Sequence, residues 1–290
     1  MPWQFFIGIY FIFAVGHSVF TRWFSQKSAL SSKLIAAITF GLGVFPLGLL
    51  FGILGDNRVF NWEASTIMLL AIIGVFIAIF GWSSFASKRL ISVTNYLTLF
   101  QLYVVVVIIA GWLILGETLK GWQITGGLLL LTGAYLAIYS VKRKSQHKNT
   151  LKGSILAGIA GLSLGVVIVA EKAALDKISL SAYFIIGYGV QALSTLLLAA
   201  PEFKKQPAPK FTRFEVTGGI ICGLLAGMGG YSYIMALTKV DNVSLVILLT
   251  TFQMPLSIIA SHFILKEKDN GLLLVGASII SFIGLILLAR

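Results

Sequence analysis

Few ionisable side chains fall inside the long apolar stretches of this chain, and each of them is a candidate for chemistry. They are His17, Glu171 with its neighbour Lys172, and the pair Glu117 and Glu267. A charge placed in a bilayer is expensive, so such groups mark solute paths, proton relays or buried joints. Glu171 has two readings. In one it faces a central cavity, where it neutralises a cationic solute group or carries a coupling proton. In the other it lies within a turn of the membrane interface, solvated and compensated by Lys172. Neutral imidazole is cheaper to bury, so His17 hydrogen-bonds either a solute or an adjacent helix. Glu117 and Glu267 stand where one apolar stretch ends and the next begins. There a carboxylate caps the free N–H groups of the following helix.

Aromatic and uncharged polar groups form a second set: Trp82, Tyr96, Gln101, Tyr103, Tyr231, Tyr233 and Gln253. Tyr96, Leu99 and Tyr103 fall at i, i+3 and i+7 and share one helical face. Rings in such a position stack on a solute or hold an ammonium group by cation–π attraction. The plainer alternative for each ring is packing, or anchoring at a membrane interface. Pro255 removes a backbone donor two residues after Gln253, which loosens that helix near the midplane. Cys222 stands alone, so it forms no internal disulfide and reads as a small apolar packing residue.

These residues must be held by membrane helices. Of 290 residues, 58% are hydrophobic and 11% charged, whereas a soluble domain carries roughly 25% charged residues. Stretches of the ~20 apolar residues needed to cross a bilayer cover 3–22, 34–54, 65–86, 92–115, 121–140, 153–173, 180–200, 215–237, 242–265 and 270–289. The first lacks a basic leader and a small-residue cleavage site, so it reads as a helix and not as a cleaved signal. The basic run 141–153 divides the chain near its midpoint. Accordingly the expected units are 1–142, a linker at 143–152, and 153–290. Most of the 30 glycines fall within the helices, where small residues allow close approach.

The two units resemble each other. Residues 108–117 read IIAGWLILGE and residues 258–267 read IIASHFILKE, a spacing of 150 that also pairs Ala86 with Ala236 and Gly126 with Gly276. Five helices per unit is an odd number, so the second unit enters the bilayer inverted. The expected fold is therefore all-α, integral to the membrane, with ten transmembrane helices as two inverted five-helix repeats. Such repeats place a site at their interface near the midplane and suit alternating access.

The stretches Ala86 to Gly133 and Ala236 to Gly284 carry a resemblance to a known family. Each runs from an A-L-K-like helix end through a long apolar helix to Gly116-Glu117 or Lys266-Glu267, followed by a polar turn and a last helix. In this the chain resembles the ten-helix EamA-type members of the drug/metabolite transporter superfamily. Repeat two keeps the family-like Pro255, where repeat one has Val105. The resemblance implies a transporter whose third and fourth helices line the cavity together with the first. It makes His17, Trp82, Tyr96, Gln101, Tyr103, Glu171, Tyr231, Tyr233 and Gln253 the candidates for contact with a solute.

Composition and motifs also limit the function. The net charge of +12 sits in short loops between apolar stretches, which records insertion and not nucleic-acid binding. Sixteen lysines and arginines fall on the side of connections 1–2, 3–4, 5–6, 7–8 and 9–10, and six on the other. The positive-inside rule then puts both termini outside, although the family is often drawn with them in the cytoplasm. No GxxxxGK[ST] loop is present, so transport is not expected to be ATP-driven. With His17, His147 and His262 dispersed, neither a metal site nor a cofactor nor a catalytic set is expected. The expectation is a monomeric secondary carrier of amino acids, amines or drug-like solutes in the cell membrane, with a proton as a coupling option. A non-transporting sensor or scaffold is the alternative, and a membrane-embedded enzyme a more distant one.

Overall fold

The computed structural model describes residues 3–55, 59–60, 62–115, 121–144, 148–204, 208–239, 250, 253–266 and 272–288. Glu117 and Glu267 lie outside the described residues. Among the described residues every regular element is helical. In chain order they are α1 (Trp3–Lys27), α2 (Ser32–Leu54), α3 (Ala64–Leu90), α4 (Val93–Phe100), α5 (Leu102–Leu115), α6 (Gly121–Lys144), α7 (Lys148–Leu175), α8 (Leu180–Phe203), α9 (Arg213–Leu237), α10 (Gln253–Ile264) and α11 (Leu272–Leu288). A helix satisfies its own backbone polar groups, the requirement that hydrocarbon imposes on any spanning segment.

Six of these, α1, α2, α3, α7, α8 and α9, are long and apolar enough to cross a membrane. Side chains such as Ile12, Leu54, Leu197 and Phe263 stand outward and exposed on their helices, as lipid contact demands. The single helix expected over 92–115 is divided at Gln101 into α4 and α5. In the second unit Pro255 lies in α10.

Helix starts follow the polar residues left between apolar stretches. Ser31, Ser92, Ser179 and Thr212 each accept a hydrogen bond from the backbone N–H three residues on, the usual N-cap arrangement. At α9 the capped residue is Glu215. Its carboxylate also takes the Ala29 N–H at 2.9 Å and the Ser28 hydroxyl, tying the α1–α2 turn to α9.

Within α2, residues Thr39–Val44 widen into a π-helical turn. Here α2 and α9 meet backbone to backbone. A Cβ on Gly43 would lie 2.5 Å from the Gly223 Cα, and one on Gly223 would lie 2.2 Å from the Thr39 carbonyl oxygen. Hydrophobicity does not drive helices together in lipid, so this bare contact stands in for it through close packing.

Packing between the two halves keeps its pattern when they are exchanged. The third helix of the first half packs on the first of the second (α3 on α7), and the first on the third (α1 on α9). Second packs on second (α2 on α8), fifth on fifth (α6 on α11), and the fourth helices α5 and α10 meet the opposite first helices α7 and α1. The contacts between the halves are thus reciprocal.

Candidate functional site

Between the halves lies a cavity of about 240 Å³, walled by α1–α5 from the first half and by α7–α10 from the second. Its wall is mostly apolar and aromatic with a few polar side chains, the makeup of a small-solute site. Of the residues expected to touch a solute, His17, Tyr96, Gln101, Tyr103, Glu171, Tyr233 and Gln253 line this cavity. Trp82 and Tyr231 do not. Trp82 lies beside Lys33, whose ammonium is 6.0 Å from the indole centroid. Tyr231 stacks on Phe51 with centroids 3.9 Å apart and also meets Phe184 at 5.4 Å. The family resemblance put both on helices expected to line the cavity, but which side of a helix faces it is decided by neighbouring helices.

Glu171 is held by α8. Tyr183 donates its hydroxyl to the carboxylate, and Gln191 Nε2 donates to the same oxygen at 3.3 Å and to the Tyr183 oxygen at 3.3 Å. Lys172 is exposed and forms no ion pair with it. The reading in which Lys172 compensates Glu171 therefore gives way to one in which a tyrosine and an amide do. Neither Tyr183 nor Gln191 was singled out by sequence. The stripe Tyr188, Gln191 and Thr195, at helical spacing in an apolar stretch, is the signal that was present.

Gln253 is committed to joining the halves. Its Oε1 accepts from the Tyr10 hydroxyl, and its Nε2 donates to the Ser18 hydroxyl at 3.2 Å and the Ala14 carbonyl at 3.4 Å. Gln101 is the opposite case. It is 4% exposed, lines the cavity, and its Oε1 has no hydrogen-bond partner. It stands at the α4–α5 break beside a run of rings: Tyr96 on Phe100 at 5.2 Å and Phe100 on Tyr103 at 5.4 Å.

The largest departure from sequence is Lys88. Helix α3 runs on to Leu90, past the expected end at residue 86, so Lys88 belongs to a buried last turn and not to a loop. It is 3% exposed and lines the cavity. Its ammonium donates to the Thr21 hydroxyl at 2.8 Å and lies 4.6 Å from the Tyr96 ring centroid. Tyr96 in turn shares a 2.8 Å hydrogen bond with the Ser84 hydroxyl.

The ends of the α3–α7 pair are pinned. At one end the Ser87 hydroxyl donates to the Gly153 carbonyl at 2.7 Å. At the other, Val59 and Ser179 exchange two hydrogen bonds at 2.9 and 3.0 Å, and Lys177 pairs with Glu63 at 3.1 Å.

Comparison with known proteins agrees with this architecture. The model of the EamA-like transporter family matches the chain twice, over residues 1–139 and 151–290. A solved structure titled "Crystal structure of protein" aligns over 96% of this chain and 96% of its own, with a TM-score of 0.63 at 15% sequence identity. At that identity the likeness concerns the fold. No curated protein matches the sequence.

Proposed function

The chain belongs to the EamA-like transporter family, and we propose that it is a secondary carrier of small metabolites working by alternating access. It is a multi-pass membrane protein, and in this reading its ten apolar stretches are ten spans in two inverted repeats. The observation that carries the proposal is a cavity walled by both halves, whose mutual packing is symmetric under their exchange. Halves related in this way can trade roles as inner and outer gate around one fixed site.

Amino acids, amines and drug-like solutes are the substrates that a small, aromatic-walled cavity supports. One chain encloses the cavity among its described residues, so a monomer suffices. The plasma membrane is the expected location, with the cation-rich loops inside. Glu171, half-buried on the cavity wall with neutral partners, is our candidate for carrying a coupling proton.

Uptake and efflux in proteoliposomes, across a panel of amino acids, amines and sugars with and without a pH gradient, test this proposal. Saturable flux of at least one class is expected. Specific binding in the absence of any flux would replace the carrier with a sensor.

A further inference from the structure

We propose that the Lys88 end of the cavity is an anion subsite that takes the carboxylate of the solute, while the aromatic wall and Gln101 hold its body. The inference rests on the carrier reading and names the charge that this site accepts.

Three cations cluster where α1 meets α3, and two of them are spent on backbone. Arg22 donates to the Lys88 carbonyl. Arg89 donates to the carbonyls of Ser25, Ser28 and Leu30 at 2.8, 3.2 and 2.7 Å. Glu215, an acid at this end, accepts from Ser28 and Ala29. Lys88 alone of the three aims its ammonium into the cavity, with a hydroxyl and a ring face as its partners and no carboxylate. Removing a charge from water without a counter-charge is costly, and such a group is stabilised by an ion that joins it.

Glu171 cannot be that counter-ion. Ser87 meets Gly153, and Glu171 lies eighteen residues further along α7, about 27 Å at the helical rise. The cavity thus carries a cation towards one end and a carboxylate, already satisfied by Tyr183 and Gln191, towards the other. The Tyr96–Phe100–Tyr103 run leads away from Lys88 along α4 and α5. Gln101 lies in that run with its unpartnered buried oxygen, which asks the solute for an N–H or O–H donor. Together these describe an organic monoanion with an apolar body and a donor group.

The probes are 3-phenyllactate, which carries all three features, and its neutral amide. Binding of both to the purified full-length protein is measured by calorimetry. The acid should bind at least about tenfold tighter than the amide, the scale of a hydrogen bond to a charged group. Lys88→Gln should abolish that preference and Lys88→Arg should keep it. As a readout that needs no variant, bound 3-phenyllactate should slow acetylation of Lys88 by acetic anhydride, whereas the amide should not. Equal binding of acid and amide, binding of neither, a preference that survives in Lys88→Gln, or no protection of Lys88 overturns the inference. Proteoliposome flux separates it from the carrier reading. Lys88-dependent binding of 3-phenyllactate without flux removes the carrier and keeps the subsite. Flux of amines or sugars that is unchanged in Lys88→Gln, alongside equal binding of acid and amide, removes the subsite and keeps the carrier.

Discussion

Substituting Gly223 by alanine tests whether backbone contact between α2 and α9 holds the two halves together. A new Cβ would lie 2.2 Å from the Thr39 carbonyl oxygen and 2.6 Å from the Gly43 Cα. Ordinary contact begins near 3.4 Å, so one helix must withdraw by roughly 1 Å, and both obstacles are backbone that no rotamer change can clear. Forced overpacking of this kind costs about 1–3 kcal/mol, against which the helix propensity gained over glycine returns at most about 1 kcal/mol. Gly8→Ala supplies the internal control. Gly8 lies in α1 with nothing within 4 Å of the added carbon, so only the propensity gain remains. Reversible unfolding of the two variants in mixed micelles should show Gly223→Ala destabilised by about 1–2 kcal/mol and Gly8→Ala unchanged or slightly stabilised. Equal stability of the two variants would refute the claim that this crossing is closed by bare glycine.

Further outcomes follow from the polar contacts. Glu171→Gln keeps an acceptor for Tyr183 but cannot carry a proton, so it should abolish gradient-driven flux and spare exchange; pH dependence unchanged from wild type would remove Glu171 from coupling. A double-mutant cycle on Tyr10→Phe and Gln253→Leu should give a coupling near 0.6 kcal/mol, the average for hydrogen bonds between membrane helices, read from the same unfolding assay. Arg89→Lys retains the charge but replaces a planar fork that serves three carbonyls with a point donor, and should lose at least about 1.5 kcal/mol of stability. Glu63→Gln breaks an ion pair whose side chains are 34% and 54% exposed, and should change stability by less than about 1 kcal/mol.

Much of the fold was legible because lipid imposes a simple rule. A segment that crosses must be apolar over a set length and helical, so composition, spans and the 150-residue repeat could be read along the chain. The stretches ending in Glu117 and Glu267 carried that reading of the repeat, and it owes nothing to three-dimensional contact. Most of the cavity candidates also followed, since polar groups are rare enough in apolar helices that each one is conspicuous.

What sequence could not decide was the side of a helix each group faces and where a helix truly ends. Trp82 and Tyr231 carry the same ring chemistry as Tyr96 and Tyr233, yet packing against Lys33 and Phe51 keeps them off the cavity wall. Lys88 read as a loop cation because charge marks the end of an apolar run. Burial of α3's last turn against α1 and α7 turns the same residue inward. Along the chain, charge and hydropathy determine that this protein crosses the membrane as paired helical units. Only tertiary packing, which sets each helix's rotation and pins Glu171 to Tyr183 and Lys88 to Thr21, decides where charge enters the cavity.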